Sequence, residues 1–195
     1  MAERVDYFFS FRSPYSYISA PRAFELPDHW DIDLVYRGTI PMVMRGQAVS
    51  RDKGIHTMRD TKREADALGM PFGPVHDPVG DGAMRCLLVA ELAADLGVEK
   101  DFVLSASRGI WAEAIDTATD EGLKTITQRV GIDWDAALAA VENPDFKARL
   151  EANVAELEGM KHWGVPTFVL RDEIFWGQDR IIDLEVRMAE YGLRK

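Results

Sequence analysis

The chain has 195 residues, 47% of them apolar and 29% charged, values that suit a globular protein of one domain or of one domain carrying a large insertion. The formal net charge of −10 argues against nucleic acid and anionic membrane surfaces as partners, although a local basic site can still take an anionic small molecule. No apolar run approaches the roughly 18 residues of a bilayer span, and the single cysteine, Cys86, leaves no intramolecular disulfide and no CxxC site. Glu3 and Asp6 come early and there is no continuous apolar h-region, so no signal peptide is expected and the chain reads as cytoplasmic.

Val5 to Phe11 is β-branched and aromatic and predicts a buried strand. Ser13 then suits an N-cap and Pro14 the first helical position, where a missing N–H is not needed. The helix is expected from Pro14 to about Leu26, with a kink near Pro21. Asp31 to Tyr36 alternates polar and apolar and predicts a second strand. From Arg37 to Val79 the pattern weakens, with one polar helix over Thr57–Leu68 and a loop over Gly69–Gly82, which holds four glycines and three prolines.

Helices follow over Ala83–Leu96, Phe102–Ala114 and Asp133–Val141, the last with Trp134, Leu138 and Val141 on one face. Asn143-Pro144 starts another, with a Phe146, Leu150, Val154 and Leu157 stripe. Pro166–Leu170 and Glu173–Trp176 predict a β-hairpin about Arg171-Asp172. A closing helix from Asp179 to about Tyr191 is expected to turn Ile182, Val186 and Ala189 inward. The order is β-α-β, a helical block, then β-β-α.

This order, read with Ser13-Pro14-Tyr15-Ser16 and Gly164-Val165-Pro166-Thr167, resembles the thioredoxin fold. There a CxxC opens a helix, faces a cis-proline, and is followed by a proline five residues after the second cysteine, as Pro21 follows Ser16. Ser13 and Pro166 stand 153 residues apart, so the helical block is similar to the insertion of the DsbA-like branch. The implied division is a discontinuous thioredoxin-like domain, 1–37 and 163–195, and a mostly helical insertion, 38–162. SPYS in place of CPYC, with Trp176-Gly177-Gln178-Asp179-Arg180, is similar to the 2-hydroxychromene-2-carboxylate isomerases and kappa-class glutathione transferases. The segment Lys53-Gly54 … Met58-Arg59-Asp60 … Arg63 … Leu68-Gly69-Met70-Pro71-Phe72 shares that family's character; Ala48–Asp52 departs from it.

The resemblance implies glutathione as cofactor and a small aromatic carboxylate as substrate, isomerised by reversible thiolate addition. A conjugating kappa-class transferase and a non-catalytic binding protein on the same scaffold are the alternatives. A helix N-terminus favours a thiolate. With serines in the cysteine positions, the thiolate has to come from a ligand, and Ser13 is the expected hydrogen-bond donor to its sulfur. Ser13 as a simple helix cap is the plain alternative, and Ser16 is read either way. Val165 and Pro166 are expected to meet the cysteinyl part, Gln178 and Asp179 the γ-glutamyl end, and Lys53 a glutathione carboxylate. Asp179 has a plain capping role as its alternative, and Lys53 a solvated one.

Arg12 adjoins Ser13 and is read as a strand-end ion pair or as a ligand for a substrate carboxylate. Tyr15 and Trp111 are candidates for the substrate cleft, with a core role as the alternative. Cys86 is read as core. His29, His56, His76 and His162 have no ligand spacing, so no metal site is expected. The resemblance allows a homodimer; nothing in the sequence selects an oligomeric state.

Overall fold

The computed structural model describes residues 2–195. Its elements in chain order are β1 (Glu3–Phe9), α1 (Pro14–His29), β2 (Ile32–Gly38), α2 (Arg51–Ala67), α3 (Asp81–Asp95), α4 (Glu99–Ala112), α5 (Asp120–Arg129), α6 (Trp134–Val141), α7 (Pro144–Gly159), β3 (Thr167–Leu170), β4 (Glu173–Trp176) and α8 (Ile181–Glu190). The four strands form one sheet in the order β2-β1-β3-β4. β1 runs parallel to β2, with Tyr7 opposite Tyr36, and antiparallel to β3, with Tyr7 opposite Phe168. β3 and β4 form the expected hairpin, turned at Arg171 in the left-handed region (φ 57°). This is the DsbA-like thioredoxin fold that the sequence order implied.

The central strand β1 is covered on both faces, which is why Phe8 and Phe9, pointing opposite ways, are both fully buried. Tyr7 stacks on Phe168 at 4.6 Å between ring centroids, and this face packs beneath α1 and α8. Its aromatic core continues without a break into α3, α4 and α5 through Phe11, Phe102 and Ile126. On the opposite face Phe8 and Val169 pack against Leu157 of α7. α7 therefore lies on the sheet, although the sequence-based division counts it with the insertion. Asn153 on α7 is buried, and its Nδ2 donates to Gly38 O at the end of β2 (3.1 Å), closing the seam between helix and sheet.

Several local expectations shift. α1 continues past Leu26 to His29 and contains both Pro21 and Pro27. α2 starts at Arg51, six residues before the expected Thr57, because Ser50 caps it by accepting from Lys53 N (3.2 Å). α5 has no counterpart in the sequence reading. In α6 the residues turned fully inward are Ala137 and Ala140, while Trp134, Leu138 and Val141 are only partly buried.

The inward face of α8 is corrected outright: Ile181, Leu184 and Met188 are buried, whereas Ile182 is 64% and Val186 55% exposed. A separate 3-10 turn, Gln178–Arg180, precedes the helix. It sets a different phase from a helix started at Asp179, and the neighbouring apolar stripe goes in.

Candidate active site

β1 runs out through Ser10, Phe11 and Arg12 into the N-terminus of α1, and this junction forms one wall of a cleft of about 850 Å³. α2, the segment about Pro41 to Val49, and Val75 and Asp77 of the loop before α3 form the other side. Arg12, Ser13, Tyr15, Lys53, Trp111, Val165, Pro166, Gln178 and Asp179, singled out as site candidates, all line this one cleft.

Ser13 caps α1 in extended conformation (φ −94°, ψ 113°). Its Oγ accepts from Ser16 N and donates to Val165 O, both at 3.1 Å. The cap and the link to the second motif thus meet in one atom. Ser16 is fully buried, and its Oγ accepts a long bond from Ser10 N (3.4 Å). It lies behind the turn and outside the cleft lining.

The Val165-Pro166 peptide is cis, and Pro166 O accepts from Gly177 N (3.0 Å). Beneath this turn Thr167 Oγ1 donates to Gly164 O (2.8 Å). With its proton so committed, Thr167 Oγ1 accepts from His162 Nε2 (3.0 Å), which fixes the proton of His162 on Nε2. Burial holds His162 below its ordinary pKa, so it props the turn as a neutral ring.

Gly164 is required here by close approach. A Cβ would stand 2.5 Å from Trp176 Nε1 and 2.7 Å from Cε2. Gly164→Ala must push the indole off the cleft wall. The expected cost is about 1–3 kcal/mol of stability, read by denaturant unfolding, with Trp176 fluorescence altered before any ligand is added. Unchanged stability and fluorescence would contradict the packing described.

Gln178 and Asp179 lie in the 3-10 turn rather than in α8 itself. The Gln178 carboxamide is engaged within the protein: Oε1 accepts from Arg22 Nη2 (2.5 Å) and Nε2 donates to Glu64 Oε2 (3.1 Å). Gln178 braces the turn between α1 and α2. Asp179 stands exposed at the rim, 3.1 Å from Arg180. The turn depends on Gly177, whose φ of +123° suits glycine and where a Cβ would collide with Asp179 Oδ1.

The substrate candidates divide in kind. Trp111 is buried, donates Nε1 to Phe11 O (3.0 Å) and stacks on Phe72 at 6.0 Å and 10°. It is both core and cleft floor. Tyr15 donates its hydroxyl to Asp60 Oδ2 (2.7 Å). Burial and this bond raise the phenol's pKa, while Arg63 and Tyr15 lower that of Asp60. Arg12 makes the strand-end ion pair, donating from Nε and Nη2 to the two carboxylate oxygens of Asp77, each at 2.9 Å. Lys53 sits exposed in the first turn of α2.

The sequence reading missed Glu64 and Asp77, and gave Asp60 no role. Lys53, Thr57, Asp60 and Glu64 follow helical spacing along one face of α2, and all four line the cleft. That signal was hidden by starting the helix at Thr57. Cys86 is fully buried, with burial pushing its thiol up to about 12, which leaves it chemically inert. Among the described residues no group of three His, Cys, Asp or Glu side chains is placed to hold a metal ion.

Comparison with known proteins bears on the fold and the family. The DSBA-like thioredoxin domain family matches residues 4–189. The chain is 25% identical over 194 residues to a 2-hydroxychromene-2-carboxylate isomerase of Sphingobium xenophagum, covering 95% of this chain and 97% of that protein. A solved 2-hydroxychromene-2-carboxylate isomerase superimposes with a TM-score of 0.81 at 22% identity, over 96% of this chain and 95% of that one. The cytosolic disulfide reductase DsbM of Pseudomonas aeruginosa, solved with GSH, superimposes with a TM-score of 0.72 at 19% identity, over 95% and 99%. The chain belongs to the DsbA-like thioredoxin family.

Proposed function

We propose that the protein is a glutathione-dependent isomerase of a small aromatic carboxylate such as 2-hydroxychromene-2-carboxylate. The observation that carries this reading is Ser13. It stands at a helix N-terminus in the position of a redox cysteine, with its hydroxyl donating to Val165 O at the cleft wall. The relatives named as isomerases and the GSH-bound relative of the same fold support it.

The residues present fit glutathione and an aromatic acid together. The cleft lies within the usual size of a small-molecule site and sets an apolar floor beside charged groups of both signs. Ser13 would hold the sulfur, the Val165 main chain the cysteinyl part, the Asp179 carboxylate the ammonium, and Lys53 a carboxylate. Bound glutathione supplies a thiolate that adds reversibly to the substrate and is released unchanged. Ser13 Oγ turns its proton from Val165 O to the sulfur, and the free N–H groups of the first turn of α1 favour the same anion. Trp111 gives an apolar floor, and Phe72 stacks against it. Arg12 faces the carboxylate of the substrate.

Product analysis tests the reading. Isomerisation of 2-hydroxychromene-2-carboxylate is expected to require glutathione and to leave its total unchanged. Turnover without any thiol, or glutathione consumed in step with product, would overturn it. A companion expectation concerns Asp179→Ala. It should weaken glutathione binding about ten-fold, as the loss of one charge-assisted bond implies. Stability should move by less than about 0.5 kcal/mol at so exposed a position. Calorimetric titration and thermal melting read the two effects; unchanged affinity would reduce Asp179 to a turn residue.

A further inference from the structure

The Arg12–Asp77 pair has a use beyond holding the loop. We propose that Asp77 is an internal stand-in for the substrate carboxylate. It occupies the Arg12 guanidinium while the cleft is empty and yields it to an incoming arenecarboxylate, so the pair selects acids over their neutral analogues. The inference rests on reading the substrate as an aromatic carboxylate.

Arg12 is one residue from Ser13, and the preceding carbonyl, Phe11 O, is fixed by Trp111 Nε1 (3.0 Å). The guanidinium therefore projects from a held backbone onto the cleft wall. It meets Asp77 with the planar two-bond fork, 2.9 Å on each arm, that guanidinium adopts with any carboxylate. An arenecarboxylate seated against Trp111, which lines the cleft, presents the same two oxygens.

The loop carrying Asp77 is anchored at its base, where Gly73 N donates to Trp111 O (2.7 Å), His76 N to Ile110 O (3.2 Å) and Ala114 N to Pro74 O (3.1 Å). Asp77 stands just beyond these bonds, and its Oδ1 accepts from Val79 N (3.1 Å).

Exposure decides which partner leaves. The Asp77 side chain is 53% exposed and that of Arg12 only 27%. Releasing Asp77 returns a carboxylate to water at little cost, whereas an unpartnered Arg12 would be a half-buried charge without a counterion. Exchanging one carboxylate for another keeps Arg12 paired throughout. A neutral ligand offers no such exchange. The other guanidinium of the cleft is committed elsewhere: Arg45 donates to the main-chain oxygens of Ile40 (3.0 Å) and Trp163 (2.9 Å) and to Glu158 (2.6 Å).

The test is calorimetric titration with benzoate and with benzamide, in the absence of glutathione, on the wild type and on Asp77→Asn, Asp77→Ala, Arg12→Ala and Arg12→Lys. Asp77→Asn preserves an acceptor for Val79 N and guards against a disturbed loop, and thermal melting of each variant establishes folding. Both Asp77 variants are expected to bind benzoate about two- to five-fold more tightly, the scale of an exposed ion pair removed from competition. Arg12→Ala is expected to lose benzoate affinity ten-fold or more, with Arg12→Lys between it and the wild type. Benzamide binding should not change in any variant. Benzoate affinity unchanged in both Asp77 variants, or equal gains for benzamide, would overturn the proposal. Because no turnover and no glutathione are involved, benzoate exchange at Arg12 in a protein without isomerase activity would count against the proposed function alone.

Discussion

Ser13→Ala is expected to lower turnover about 10²–10³-fold, the usual consequence of removing one donor to a reacting anion. The expectation follows from what the hydroxyl does in the structure. Its oxygen accepts from Ser16 N, and its proton, now on Val165 O, is the one available to a sulfur in the cleft. Alanine removes the donor but leaves the free N–H groups of α1, so an anion is still favoured, only less. Loss of the cap also costs about 1 kcal/mol of stability. That loss is separable. Glutathione affinity should fall only a few-fold, because Asp179, Lys53 and the Val165 main chain are untouched, and the variant should melt as a folded protein. Steady-state kinetics beside a binding titration reads both. Turnover equal to wild type would make Ser13 a helix cap and nothing more.

Glu99→Gln is expected to stabilise the protein by about 2 kcal/mol at pH 8 and to change nothing near pH 4. Glu99 lines a small second cavity with Phe24, Pro27 and Leu34, between α1, β2 and the start of α4. Burial, reinforced by the charge of Glu91, pushes its carboxyl up to about 7 from an ordinary value of 4.5. The folded state thus holds this proton more tightly than the unfolded chain. The resulting stability is fully present below about pH 4.5 and is lost as pH rises through about 7. A shift of that size corresponds to about 3 kcal/mol. The free N–H groups in the first turn of α4 favour the ionised form and offset about 0.3–1 kcal/mol of it. Glutamine stays neutral and removes the pH dependence. Urea unfolding of both proteins at the two pH values measures it. An equal stability difference at both would mean that Glu99 is not held protonated by its surroundings.

The two ends of the chain were the legible part. β1 and the hairpin carry β-branched and aromatic runs, and Ser13-Pro14 and Val165-Pro166 mark the turns that the sheet brings together. The helical middle was less so, for reasons visible in particular residues. α5 buries Leu123 and Ile126 beside Gly122 and Thr127, too few large apolar residues for its period to stand out. In α8 two apolar stripes compete, Ile181-Leu184-Met188 and Ile182-Val186-Ala189; only the phase set by the preceding 3-10 turn decides between them.

The charged half of the site was the least legible. In sequence Asp60, Glu64 and Asp77 look like any solvated acidic residues. Each gains a role from a partner far along the chain, Tyr15 for Asp60, Gln178 for Glu64 and Arg12 for Asp77, and those pairings exist only once α2 and the loop before α3 fold over α1. The apolar residues of a fold announce themselves by period; polar residues that face a cleft do not.

The central claim is that the N-terminus of α1 and Ser13 stabilise a ligand thiolate. The direct measurement is the pH titration of thiolate absorbance for glutathione bound to the wild-type protein, set against free glutathione. The account predicts a thiol pKa one to two units below that of the free thiol, the shift expected from one charge-assisted hydrogen bond. A bound thiol that titrates where the free one does, or glutathione that does not bind at all, would contradict it.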